Sequence, residues 1–176
     1  MTRTNYNEVW NLTEGDIWRC LGIPFKGRKM WFHIILPKKR FGLATVMEQF
    51  NANLLRKRIG KKPSGEIKIG LPIFHMVNKF SLIKSLPKLG MNNVFEGMIN
   101  NKYVKLDNIF HGAGININQY NLPERDNSNF VYEDQKDEGL PGFCAASPFI
   151  YFVTLVENDV NELQNLLLLG VFYGSH

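Results

Sequence analysis

The stretch from Glu66 to Phe95 constrains this chain most, because its apolar period changes in mid-course. Between Glu66 and Val77, the residues Ile67, Ile69, Leu71 and Ile73 alternate with Lys68, Gly70 and Pro72. An apolar residue at every second position puts those side chains on one face of a strand. Pro72 offers no N–H to a ladder, so the strand must run at an edge or bend there. Farther on, Leu82, Leu86 and Leu89 are four and three residues apart, the spacing of one helical face. Gly90 suits the helix stop, and Pro87 limits the helix to a distorted turn or two.

The flanking sequence fills out a mixed α+β architecture. Residues 16–25 and 29–36 are rich in aromatic and β-branched types, and Lys26-Gly27-Arg28 between them supplies a hairpin turn. Residues 41–59 carry a helical stripe of Leu43, Val46, Met47, Phe50, Leu54 and Leu55, with a break into two helices expected at Asn51–Asn53. Gly60 and Pro63-Ser64-Gly65 end the helical region. Tyr103 to Ile117 reads as a long strand weakened at Gly112 and Gly114. Two apolar runs, 148–153 and 167–171, suit fully buried strands. The expected fold is therefore antiparallel sheets from 16–36, 66–77, 103–118 and 148–173, with short helices at 41–59 and 80–89. A chain of 176 residues with 44% hydrophobic and 21% charged residues can bury a core, which excludes global disorder. Cys20 and Cys144 are too few for a disulfide scaffold and allow one bridge or two buried thiols, the latter being the expectation. No apolar run is long enough to span a bilayer, and the polar start MTRTNYNEVW does not read as a signal peptide.

Several of these stretches together resemble the serpin family of serine protease inhibitors. The family's "LP.F" strand, "L...L..LG" helix and closing Phe match Leu71, Pro72 and Phe74, then Leu82, Leu86, Leu89 and Gly90, then Phe95. Its hairpin matches Gly22 to Gly27 and Met30 to Pro37. Its strand before the reactive loop matches Val104, Phe110, His111, Ala113, Ile115, Ile117 and Asn118. Its closing strands match Phe143 to Val153 and Leu167 to Val171, although Ser147 replaces the usual Arg and the final Asn-Pro is absent. The resemblance covers nearly all 176 residues but only the C-terminal half of the family's domain. It implies one partial serpin-like domain over 1–176, with a long exposed loop at 119–142 in the place of the reactive loop. It also implies an extracellular setting, in which Asn11-Leu12-Thr13 would be a glycosylation sequon.

The family's inhibitory mechanism sets a test for that loop. After a protease cuts it, its hinge must enter a large sheet as a new strand, which requires small side chains. Here Asn121 stands at the glycine position of the hinge, Leu122 at the threonine, and Pro123 and Glu124 follow, with Arg125 and Asp126 behind them. Pro123 lacks a ladder donor. Buried, unpaired Glu124 and Asp126 would each cost on the order of several kcal/mol. The segment goes on with Glu133, Asp134, Asp137 and Glu138, and the residue facing a protease falls at Gln135 or Lys136. A Lys there suits a trypsin-like serine protease. The hinge, with the absent N-terminal half, makes this copy non-inhibitory on expectation.

The alternative function is a binding module for a polyanion such as a glycosaminoglycan. The chain carries a net charge of +5, and cations gather at Lys38, Lys39, Arg40, Arg56, Lys57, Arg58, Lys61 and Lys62. Of these, Arg56, Lys57, Arg58, Lys61 and Lys62 form the expected polyanion site. No aromatic residues interleave with 56–62, which argues against a nucleic-acid partner. A conventional enzyme is not expected. His33, His75 and His111 have no assignable nucleophile and acid, and the histidines lack metal-ligand spacing, so no metal, cofactor or membrane partner is assigned.

Overall fold

The computed structural model describes residues 2–5, 10–51, 67–91, 96–99, 102–105, 107–118, 142–155 and 165–174. They fall into two compact units, Met1–Ile73 with Ile117–His176, and Phe74–Asn116.

The first unit is built on the hairpin. Strands β3 (Trp18–Pro24) and β4 (Met30–Pro37) pair antiparallel, with Gly22 opposite His33 and Ile23 opposite Phe32. Phe25 N–H donates to the Met30 carbonyl at 2.9 Å and closes the turn. Gly27 and Arg28 both take the left-handed backbone, φ 83° and 56°, the first of them at no steric cost because glycine has no Cβ. Strand β11 (Phe149–Leu155) lies on the other side of β4, and β12 (Asn165–Phe172) lies outside β11. Strand β2 (Asn11–Glu14) closes the far edge, giving an antiparallel order of β12-β11-β4-β3-β2. The two apolar runs expected between 148 and 173 are thus neighbouring strands, and the first is buried in the middle of the sheet.

Among the described residues one α-helix, α1 (Leu43–Gln49), covers one sheet face. Its Leu43 and Val46 pack with Trp18, Cys20, Ile35, Ile150 and Phe152, residues contributed by β3, β4 and β11. Burying each of the larger apolar side chains here contributes about 1.5–3 kcal/mol. Of the helical stripe foreseen over 41–59, the part before the expected break at Asn51–Asn53 is α1, which ends at Gln49. Phe50 already leaves helical geometry at ψ 114°, and Asn51 Nδ2 donates to the Gln49 carbonyl at 3.2 Å. That side-chain bond satisfies a carbonyl the helix end leaves open, so the break begins where the asparagines begin. Residues 52–66 lie outside the described residues.

A second, three-stranded sheet in this unit has the order β1-β5-β10, from β1 (Thr2–Asn5), β5 (Ile67–Gly70) and β10 (Gly142–Cys144). β10 runs parallel to β5, an exception to the antiparallel expectation. β1 and β2 were not expected from sequence. Their residues, TRTN and NLTE, lack an apolar alternation, as edge strands of mostly polar type do.

The second unit corrects the reading of 66–95. The single expected strand is broken at Leu71–Ile73, and a new strand β6 runs Phe74–Ser81. Pro72 sits in the break, as its missing donor requires. No α-helix forms at 80–89. Phe80 and Ser81 finish β6, and one 3₁₀ turn spans Pro87–Leu89. Gly90 ends it at φ 88°. Pro87 cannot donate to a helical ladder, and Leu82, Leu86 and Leu89 form no buried face, since Leu89 is exposed. The long strand expected at 103–118 is likewise two: β8 (Lys102–Lys105), paired with β7 (Glu96–Ile99), and β9 (Phe110–Ile117), paired with β6. Gly112 and Gly114 lie inside β9 without interrupting it.

Candidate functional site

The described residues on either side of segment 119–142, where a reactive loop is expected, show what holds its ends. Both ends, Ile117 and Gly142, belong to the first unit. The entry is β9, whose last residue, Ile117, is buried. The exit is β10, where Gly142 pairs with Lys68, Phe143 with Ile69 and Cys144 with Gly70. Ala145 N–H then donates to the Gly70 carbonyl at 2.8 Å. Phe143 is fully buried, and the Arg19 guanidinium lies 5.8 Å from its ring centroid. Arg19 in turn holds Glu14 at 2.9 Å, and Lys38 reaches the other Glu14 oxygen at 3.3 Å. The Lys38 hydrogen bond is the main cause that keeps the Glu14 carboxyl below its ordinary range. An apolar plug, a cation over its face and two ion pairs therefore fix the point where the segment rejoins the sheet.

The expected hinge positions Asn121, Leu122, Pro123 and Glu124 and the residues expected to face a protease, Gln135 and Lys136, lie outside the described residues, as do the expected polyanion positions Arg56, Lys57, Arg58, Lys61 and Lys62. Of the basic region, Lys38, Lys39 and Arg40 are described and exposed, at the turn that leads from β4 into α1.

The histidines are placed differently from one another. His75 and His111 are exposed, and the His111 ring lies 5.2 Å from Phe80. His33 is 1% exposed in the middle of the five-stranded sheet. Its Nε2 shares a 3.1 Å hydrogen bond with Thr154 Oγ1, and its ring stacks on Phe152 at 4.6 Å. Burial drives its pKa down to about 3, so it is neutral in the fold. Among the described residues no group of three His, Cys, Asp or Glu is placed to hold a metal ion, and no helix is long and apolar enough to cross a membrane. The cysteines correct an expectation: Cys20 is buried, but Cys144 is exposed, because successive side chains alternate along β10 and Cys144 takes the opposite face from buried Phe143. Asn11, the sequon asparagine, is only 7% exposed within β2, so the folded sheet leaves no room for a glycan on it.

Comparison with known proteins places these features in a family. The family model "Serpin (serine protease inhibitor)" matches residues 1–172. Similar proteins include serine proteinase inhibitor 2 of monkeypox virus, 26% identical over 72% of this chain and 38% of its own length. Human serpin B4 is 23% identical over 89% of this chain and 40% of its own. Among solved structures, uncleaved ovalbumin superimposes with a TM-score of 0.71 at 17% identity, covering 99% of this chain and 48% of that one. Native protease nexin-1 with heparin gives 0.69 at 14% identity, covering 99% and 47%. The chain thus spans about two fifths of the length of the curated relatives it matches.

Proposed function

Because this chain belongs to the serpin family, we propose that it is a non-inhibitory member, cut by serine proteases as an ordinary substrate in segment 119–142. The observation that carries the reading is the hinge composition, Asn121-Leu122-Pro123-Glu124-Arg125-Asp126. Inhibition in this family resembles a race. The cut loop must enter a sheet as a strand before water hydrolyses the acyl-enzyme and frees the protease. Pro123 removes one ladder bond from the incoming strand. Glu124 and Asp126 would enter without partners, at a cost on the order of several kcal/mol per ion. Either obstacle slows insertion while hydrolysis proceeds.

Incubation with trypsin and with chymotrypsin tests the proposal. The expected result on denaturing gels is cleavage between Asn121 and Gly142 with no covalent protease band, and no large rise in melting temperature after the cut. A stable covalent band, or a large rise, overturns it.

A further inference from the structure

The turn between β4 and α1 presents an arrangement that the reading above does not use. Gly42 N–H donates to the Lys39 carbonyl at 2.9 Å, which closes a four-residue turn with Arg40 and Phe41 at its two corner positions. The turn is held on both sides. Lys38 N–H donates to the Ile17 carbonyl at 2.9 Å, and Val46 N–H donates to the Gly42 carbonyl at 3.1 Å as α1 begins. Lys38, Lys39 and Arg40 are exposed, and Phe41 is 90% exposed, the most exposed of the large apolar side chains described. The Arg40 guanidinium stands 5.7 Å from the Phe41 ring centroid.

We infer that this tip is a peripheral contact for an anionic phospholipid surface, with Phe41 entering the acyl boundary and Lys39 and Arg40 on headgroup phosphates. Three features favour lipid over a soluble polyanion. Cations alone serve either partner, but a sulfated polysaccharide offers no apolar layer for a protruding phenyl ring, whereas a bilayer offers one directly beneath its charged surface. Arg40 and Phe41 hold the adjacent corner positions of the turn, with the guanidinium 5.7 Å from the ring centroid, so ring and charge meet the surface together. The turn is fixed by backbone bonds to Ile17, just before β3, and to α1, so little ordering cost accompanies docking. Lys38 contributes less, since it already pairs with Glu14 at 3.3 Å. Glu48 on α1 is the one acid in the neighbouring sequence. The inference does not depend on whether the chain inhibits a protease, and it concerns contact with a membrane surface, not passage through it.

The experiment is sedimentation of the full chain with vesicles of a four-to-one mixture of phosphatidylcholine and phosphatidylserine, and with phosphatidylcholine alone. The expected result is binding to the mixed vesicles only. Phe41→Ser should weaken it about tenfold, the scale of losing a buried phenyl contact. Lys39→Ala and Arg40→Ala should each weaken it about fivefold, the scale of one cation near an anionic surface. Phe41→Leu should bind like the parent. All three positions are on the surface, and matching melting curves show that the variants fold. Absence of binding to mixed vesicles, or equal binding by Phe41→Ser, overturns the inference. So does retention on heparin without vesicle binding, which would assign the tip to a sulfated polysaccharide.

Discussion

His33 is an ionisable group placed where it cannot ionise. Its neighbours on the adjoining strands are Gly22 and Phe152, and a Cβ at position 22 would stand 3.1 Å from its Nδ1. The absent side chain at Gly22 makes room for the ring. In the fold His33 takes up a proton only near pH 3, whereas in the unfolded chain it does so near its ordinary 6.5. Between those values the unfolded state binds more protons, so stability falls as the pH drops from about 6.5, by up to about 1.4 kcal/mol per unit. His33→Gln, which does not titrate, should be less stable at pH 7 yet lose less between pH 7 and 4.5. Melting curves of both proteins at the two values decide it, and equal losses would remove His33 as the cause. The cysteines make a second test at this scale. Burial pushes the Cys20 thiol up to about 12, so it should be inert in the native protein while exposed Cys144 reacts. A thiol reagent should titrate one group before denaturation and two after; two in the native protein would contradict the placement of Cys20.

Elements differ in how plainly the amino-acid sequence announces them. The β3–β4 hairpin and strand β11 were legible because a buried strand needs dense apolar residues, and those runs have few other uses; the run at 167–171 is a strand, but β12 is an edge strand among the described residues and leaves Leu167 and Leu169 exposed where full burial was expected. The stretch Leu82 to Leu89 misled because its spacing fits a helix while Pro87 forbids the ladder; only a 3₁₀ turn remains. β1 and β2 were invisible because their identity comes from partners, not from their own side chains. The elements also leave apolar surface open. Val77 is 71% and Phe110 61% exposed on the β6–β9 pair, and Leu167 and Leu169 are exposed on β12, an edge strand among the described residues. Unpaired apolar edges of this kind recruit other chains. The purified protein should bind a hydrophobic dye or sediment as an oligomer. A dye-free monomer across a wide concentration range would show that these surfaces do not act as an interface.

At the scale of the whole molecule, family membership was legible from short motifs spread along nearly the full chain, each tied to a strand or turn that the fold uses. The site was less so. The hinge residues spoke through chemistry, since proline and adjacent charges fit badly in a strand wherever it lies. The tip at Arg40–Phe41 stayed hidden, because Phe41 sits in sequence at the head of a helical stripe and only the Lys39–Gly42 turn shows it facing outward. The order of strands has a consequence of its own. Two strands after the segment are sewn to strands that precede it, β10 to β5, and β11 to β4 over six matched residues from Ile150 to Leu155, and β12 is paired to β11. A backbone cut between 119 and 141 therefore converts one polypeptide into two subunits whose shared boundary is a domain core. The nicked protein should keep the hydrodynamic size of the intact one, with its smaller chain held as the outer two strands of a sheet whose other three belong to the larger chain.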